Sequence, residues 1–314
     1  MRLAKKLRLM VQDPGRFAEF ALRNRLFAQI EDWWLDYRRP LGEGVVNTFE
    51  LRVLGMRRAG NHAVVNWLMR SRAASRPTGR QLHLNNVSPG ANAFRTRAQY
   101  WAPAPPPAEP AAYFTEVRRR RRRDFDPLDL LVLSYEDFSI DAFLKPVNPA
   151  YHGRSAAIRP IVILRDPYNL LASRMKSDKR QTRDGRSEIA LFNDNFRVLD
   201  EPHDGVIPVI YNRWLTSVDY RQELLHRVFD GEAIDRMDTK PSFQGGGSSF
   251  TGRSQVLASQ DLISRWRRLE NDPSFMSEVL ADRGLREVME RAFPEALVAP
   301  STQGAQASDG NGQS

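Results

Sequence analysis

The chain has 314 residues and a formal net charge of +9, enough length for one substantial α/β core and a balance that favours anionic partners. It contains no cysteine and five scattered histidines, His62, His83, His152, His203 and His226, which excludes disulfides and Cys-ligated metals and offers no metal-binding spacing. No apolar run approaches the roughly 18–20 residues of a membrane span, and the first residues lack the apolar core of a secretion signal, so a cytoplasmic protein is expected.

Over residues 1–12, basic residues alternate with Leu3, Leu7, Met10 and Val11 at spacings close to one helical face. Asp13-Pro14-Gly15 breaks that pattern, and residues 17–37 resume as a second helix containing Phe20, Leu26, Trp33 and Trp34. Such a segment either makes peripheral contact with an anionic membrane surface or packs its aromatic residues on the domain or a partner. Residues 1–45 are therefore set apart as an N-terminal helical segment, ahead of an α/β domain over 46–300 and a polar tail at 301–314 expected to be disordered.

The stretch FELRVLGMRRAGNHAVVNWL, residues 49–68, carries most of the functional information. Phe49 to Leu54 is a short apolar run that predicts a buried strand, and Ala63, Val64, Trp67 and Leu68 have the spacing of a helix face. Between them, Gly55 and Gly60 bracket Met56, Arg57, Arg58 and Ala59. A glycine-bounded turn entering a helix aims unpaired N–H groups and the positive end of the helix dipole at one point, which is a cradle for phosphate. The glycine spacing is that of the nucleotide-hydrolysing P-loop, but Asn61 and His62 stand where that motif has Lys and Ser/Thr. The metal-holding hydroxyl is missing and the positive charge lies inside the loop, so Arg57, Arg58, Ala59, Gly60, Asn61 and His62 are candidates to bind a phosphorylated ligand without an obligatory metal. The competing reading is an ordinary strand-turn-helix with surface arginines.

QLHLN, residues 81–85, predicts the next strand. Residues 86–126 are expected to be a long irregular insertion, with a Pro-rich segment at 102–110 in extended polyproline form. The six arginines Arg118–Arg123 attract polyanions, yet no nucleic-acid module or aromatic ladder accompanies them, so a specific nucleic-acid partner is not expected. DLLVLS, residues 129–134, predicts a strand that ends at Tyr135-Glu136-Asp137. Glu136 either caps the following helix or, with a pKa raised by burial, takes a proton from a substrate hydroxyl. Residues 161–164 predict another strand, ending in Arg165, with Asp166 as N-cap and Pro167 opening a helix to about Ser177. Lys176–Arg186 reads as a mobile, solvent-facing loop, Glu188–Leu199 as a helix, Val206–Tyr211 as a strand and Asn212–Phe229 as a helix. In Gly245–Arg253, three adjacent glycines with Ser248, Ser249 and Arg253 form a last candidate for anion binding, against the alternative of a flexible linker. Three short helices are expected to follow.

Two of these stretches, taken together, resemble the sulfotransferases that use 3'-phosphoadenosine 5'-phosphosulfate. Their first signature, a strand, a loop with a basic residue two before Gly and a helix that often carries Trp, is matched by Arg58, Gly60 and Trp67. Their second, a strand ending in Arg with Ser eight residues later, is matched in PIVILRDPYNLLASR by Arg165 and Ser173. The resemblance spans about residues 49–266 and implies a P-loop-like parallel sheet flanked by helices. It implies that the cradle holds the 5'-phosphosulfate end, that Arg165 and Ser173 hold the 3'-phosphate, and that a late basic, glycine-containing loop closes the site. It places the general base near the end of the strand before the Arg…Ser signature, where Glu136 stands instead of the common His, with His83 or Asp137 as alternatives. The sulfate acceptor, whether carbohydrate, lipid or small molecule, is not specified. Two rival functions remain at this stage, a Mg²⁺-dependent P-loop kinase or nucleotidase, and a non-catalytic polyanion-binding protein.

Overall fold

The computed structural model describes residues 44–90, 93, 99–101, 124–176, 181–237 and 262–298. The N-terminal helical segment up to residue 43, Arg118–Arg123, Ser248, Ser249, Arg253 and the tail from 301 lie outside them.

The apolar run around Phe49 is part of the central strand β1 (Val45–Gly55). With β2 (Gln81–Asn85), β3 (Gln99–Trp101), β4 (Leu128–Glu136), β5 (Arg154–Leu164) and β6 (Ile207–Ile210), it forms a six-stranded sheet in the order β3-β2-β4-β1-β5-β6. Every neighbouring pair is parallel except the edge pair β2 and β3. Leu51, Leu54, Leu131, Val132, Ile161 and Val162 are wholly buried, the continuous apolar signature of strands covered on both faces. The fold is thus α/β, a parallel sheet flanked by helices.

The helix after the glycine turn, α1 (Asn61–Ser75), buries Val64, Trp67 and Leu68 as its spacing requires. Its orientation is fixed by Arg72, which is fully enclosed. Arg72 donates to both carboxylate oxygens of Asp129 at 2.8 and 2.6 Å and to Glu232 at 2.9 Å, and lies over the Phe49 ring at 4.8 Å. Burying a guanidinium is tolerated only with this degree of pairing, and it ties the distal half of α1 to the start of β4. The remaining α-helices among the described residues are α2 (Ile140–Phe143), α3 (Pro167–Lys176), α4 (Glu188–Phe196), α5 (Tyr211–Thr216), α6 (Val218–Phe229), α7 (Pro273–Phe275) and α8 (Arg283–Ala292). No described helix is long and apolar enough to cross a membrane.

The chain leaves β1 toward β2 on one side and leaves β5 toward β6 on the other. Right-handed crossovers that run in opposite directions put α1 and α3 on opposite faces of the sheet. Between the neighbouring strands β1 and β5, the two connections therefore diverge and open a crevice at the carboxyl ends, the place where open α/β sheets bind ligands.

Several elements depart from expectation. The insertion at 86–126 is not wholly irregular, since Gln99–Trp101 pairs antiparallel with β2. β5 begins at Arg154 rather than Ile161. Its first half alternates exposed and half-buried residues and contains Pro160, which is tolerated because β6 pairs only from Ile161 onward. The helix expected over 212–229 is two helices, broken at Ser217, whose side chain accepts from Tyr220 N and caps α6. The helix after β4 is capped by Ser139, accepting from Ala142 N at 3.3 Å, so Glu136 is not a cap. Asp166 does cap α3, its Oδ1 accepting from Asn169 N at 2.8 Å.

Candidate functional site

The turn between β1 and α1 is wound by two left-handed residues, Arg58 at φ 78° and Gly60 at φ 97°. The second has to be glycine, because a Cβ there would lie 2.1 Å from Cε2 of Tyr211. Ala63 and Val64 donate their N–H groups to the Gly60 carbonyl at 2.9 and 3.2 Å. The N–H groups of Gly60, Asn61 and His62, at the helix start, have no carbonyl partner among the described residues.

The side chains of the turn divide into braces and free charges. Asn61 is buried and folds back, donating to the carbonyls of Gly55 at 3.3 Å and Met56 at 3.2 Å. Its Oδ1 fills the space where a Cβ on residue 55 would be, at 2.0 Å, so Gly55 is needed for this brace. Asn61 can offer a ligand its N–H group, while its side chain holds the loop. Arg57 is also a brace: its backbone N–H donates to Asp137 Oδ1 at 2.8 Å, its Nε bonds the other oxygen of Asp137, and its Nη2 bonds the carbonyl of Gln181. Asp137, fully buried at φ 61°, also accepts from Arg174 Nη1 at 2.8 Å. Arg174 in turn donates to Glu188 at 2.5 Å and to the carbonyl of Arg57 at 3.2 Å.

Residues 181–186 face solvent as expected, with Gln181, Gly185 and Arg186 exposed, but the segment is anchored. Arg183 donates its backbone N–H to the Asp137 carbonyl at 3.3 Å and its guanidinium to Asn86 Oδ1 at 2.9 Å. The segment is laid across the ends of β2 and β4 and held to the cradle through Arg57.

Arg58 and Arg165 are different. Arg165 Nη1 donates to the Arg58 carbonyl at 2.9 Å, and its guanidinium stacks over the Tyr211 ring at 5.2 Å. Among the described residues neither arginine pairs with a carboxylate within ion-pair distance, and the Nε of each is buried without a hydrogen-bond partner. Burial pushes the Arg58 pKa down, Arg165 pushes it further in the same direction, and Glu136 opposes both. Two partly enclosed guanidiniums that repel one another, each with an orphaned donor, are arranged to receive an anion.

Ser173, on α3, is buried immediately before Arg174, whose contact with the Arg57 carbonyl brings this part of the helix against the cradle. Glu136 ends β4 and is buried beside Gly55; its Oε1 lies 3.5 Å from Asn61 Nδ2 and 4.0 Å from His62 Nε2. His83 is wholly enclosed on β2, its Nε2 2.8 Å from Ser134 Oγ, which donates on to Asn85 Oδ1. Burial pushes its pKa down to about 3, with the neighbouring His62 adding to the effect. Among the described residues no three His, Cys, Asp or Glu side chains cluster as a metal site. Thus Arg57, Arg58, Ala59, Gly60, Asn61 and His62 form the turn after β1 and the start of α1, with Glu136 and Arg165 beside it and Ser173 buried on α3, whereas Ser248, Ser249 and Arg253 are not among the described residues.

Tyr211 and Arg174 were not singled out by sequence reasoning. Tyr211 reads as the end of an apolar strand, and Arg174 as one more charge in a basic helix end; only their three-dimensional partners distinguish them.

No family model and no curated relative matches the chain. Among solved structures, the sulfotransferase domain of the Synechococcus PCC 7002 olefin synthase aligns with a TM-score of 0.36 and 15% identity, covering 72% of this chain and 90% of that one.

Proposed function

We propose that the protein transfers a sulfuryl group from 3'-phosphoadenosine 5'-phosphosulfate to a hydroxyl or amine acceptor, without a metal ion. The observation that carries this reading is the pair Arg58 and Arg165, two guanidiniums at the β1/β5 crevice with orphaned Nε donors and, among the described residues, no carboxylate within ion-pair distance. A ligand with anionic groups at both ends matches that charge. In this reading the N–H groups of Gly60, Asn61 and His62 hold the 5'-phosphosulfate end. Arg58 stabilises the charge that develops on the bridging oxygen as the bond to sulfur breaks. Arg165, oriented by Tyr211, and Ser173 hold the 3'-phosphate, which a plain adenosine triphosphate lacks. Arg57 and Asp137 keep the loop in shape. Transfer of an already activated group is mainly a matter of position and charge, and this site supplies both through side chains and backbone. A carbohydrate, a lipid or a small molecule remains the proposed acceptor class, and peripheral contact of residues 1–12 with an anionic membrane a proposed location.

The test is to incubate the purified protein in EDTA with radiolabelled donor and panels of the three acceptor classes, following release of 3'-phosphoadenosine 5'-phosphate. Donor consumption that persists in EDTA and is lost in Arg58→Ala and Arg165→Ala supports the assignment. A requirement for Mg²⁺ with ATP as the consumed donor would make the protein a kinase or nucleotidase. Polyanion binding unaffected by either substitution, with no donor consumption, would make it a binding protein.

A further inference from the structure

We propose that His62 is the base that accepts the acceptor's proton and that Glu136 is its positioning partner, the two acting as one His–Glu pair; this rests on the sulfuryl-transfer reading. Position separates the candidates. Asp137 is fully buried and shared between Arg57 and Arg174, so its lone pairs are committed. His83 is enclosed on β2 and hydrogen-bonded to Ser134, beyond reach of an acceptor. Glu136 has a side chain 10% exposed and turns Oε1 toward the start of α1, whereas the His62 side chain is 26% exposed and has Nε2 4.0 Å from that oxygen. Of the two neighbouring groups, the imidazole is thus the more accessible to a molecule entering the cradle. His62 also occupies the second position of α1, beside the N–H groups assigned to the sulfuryl end, where a proton acceptor is needed.

The surroundings leave the imidazole with a lone pair at neutral pH. Burial lowers its pKa, and Glu136 on β4 opposes the shift. The other titratable group acting on it is His83 on β2, while Arg58 in the turn shares Glu136 with it, and the helix N-terminus adds positive potential. In the proposed tautomer Nε2–H faces Glu136 across 4.0 Å and Nδ1 is the accepting atom. As the acceptor oxygen forms its bond to sulfur, the acceptor's O–H or N–H proton passes to His62 Nδ1. The sulfur–oxygen bond to the donor phosphate breaks, and its electron pair leaves on that phosphate oxygen. Glu136 then faces an imidazolium, and its carboxylate balances the new charge. A separation of 4.0 Å shortens on loading in many enzymes, where such contacts tighten in the reacting complex.

Two measurements test the pair. The first is an NMR pH titration of the His62 ring, assigned by comparison with His62→Gln, in the wild type and in Glu136→Gln. The expected result is a midpoint below 6.5 that falls further in Glu136→Gln; an unchanged midpoint overturns the pairing, whatever the activity. The second is kinetic. His62→Gln should lower kcat by about 10²–10⁴-fold and remove the acidic limb of the pH–rate profile, while calorimetric affinity for 3'-phosphoadenosine 5'-phosphate stays within about threefold, since only the backbone N–H is assigned to the ligand. Glu136→Gln should keep that limb but move it to lower pH. A large loss of bisphosphate affinity in His62→Gln with the acidic limb retained would make His62 a phosphate ligand and overturn its role as base. No donor consumption by the wild type would instead overturn the sulfuryl-transfer reading, with the titration still reporting on the pair. His62→Asn, compared by circular dichroism, separates loss of the base from a disturbed helix start.

Discussion

Gly60→Ala is the substitution that interrogates the cradle most sharply. Residue 60 sits at φ 97°, where an L-residue costs about 1–2 kcal/mol. The added methyl would lie 2.1, 2.6 and 2.9 Å from ring atoms Cε2, Cδ2 and Cζ of Tyr211, so the ring must swing aside. Tyr211 packs against Trp214 with ring centroids 5.2 Å apart and supports the Arg165 guanidinium at 5.2 Å. Displacing it is therefore an overpacking event of about 1–3 kcal/mol. Together the two effects amount to roughly 2–5 kcal/mol, a large share of the 5–15 kcal/mol typical of a folded domain. Urea denaturation gives the total, and a cycle with Tyr211→Ala separates the parts. Removing the ring first should recover the overpacking component, a coupling of about 1–3 kcal/mol, and leave the backbone cost. Affinity for the bisphosphate should also fall in Gly60→Ala, because Arg165 loses its platform. A variant within about 0.5 kcal/mol of wild type, or strict additivity in the cycle, would refute the packing of Tyr211 against the turn.

Other consequences are equally direct. Arg174→Met leaves the buried carboxylates of Asp137 and Glu188 short of a cation and should destabilise the protein by about 3–5 kcal/mol in urea denaturation; a loss under about 1 kcal/mol would contradict the staple. Arg58→Ala relieves the repulsion by Arg165, so its denaturation midpoint should match or exceed wild type while donor affinity is lost, the signature of charge kept for function. His83 has a folded-state pKa depressed to about 3 from 6.5, so the unfolded chain binds more protons between those values and stability must fall as the solution is acidified. The slope approaches about 1.4 kcal/mol per pH unit below pH 6.5 and flattens near pH 3. His83→Gln should remove that slope, and a pH dependence between 6.5 and 4 identical to wild type would show that the ring is not held neutral by burial.

How far the molecule was readable from its residues depends on the range of the interactions involved. Phe49 to Leu54, QLHLN and the apolar end of β5 are parallel-sheet strands whose burial on both faces is written locally as apolar runs. Gly55 and Gly60 mark a turn because only glycine fits beside Asn61 and Tyr211 there. Asp166 signals its cap through the proline that follows. Where stability comes from distant partners, the pattern fails. β3 is three residues paired to an edge, too short for a periodicity. The polar first half of β5 is defined by hydrogen bonds to β1 and not by apolar content. Ser217 breaks a continuous apolar helix pattern by capping its second half. Within the site, Arg57 and Arg58 are indistinguishable in sequence, yet one is ion-paired to Asp137, eighty residues away, and the other has no carboxylate within ion-pair distance among the described residues. The exposure that separates His62 from Glu136 and His83 likewise depends on how three elements meet.

The central claim, that Arg58 and Arg165 frame a metal-independent site for a 3',5'-bisphosphate, is tested most directly by calorimetric titration of the whole chain in EDTA. Wild type and Arg165→Ala are each titrated with 3'-phosphoadenosine 5'-phosphate and with ATP. The account predicts binding of the bisphosphate without metal, weaker binding of ATP, and a loss of about 1.5–3 kcal/mol in Arg165→Ala, roughly a 10- to 150-fold rise in Kd, because a charge-assisted contact to phosphate is removed. Equal affinity of wild type and variant for the bisphosphate, or binding of ATP alone and only with Mg²⁺, would contradict it.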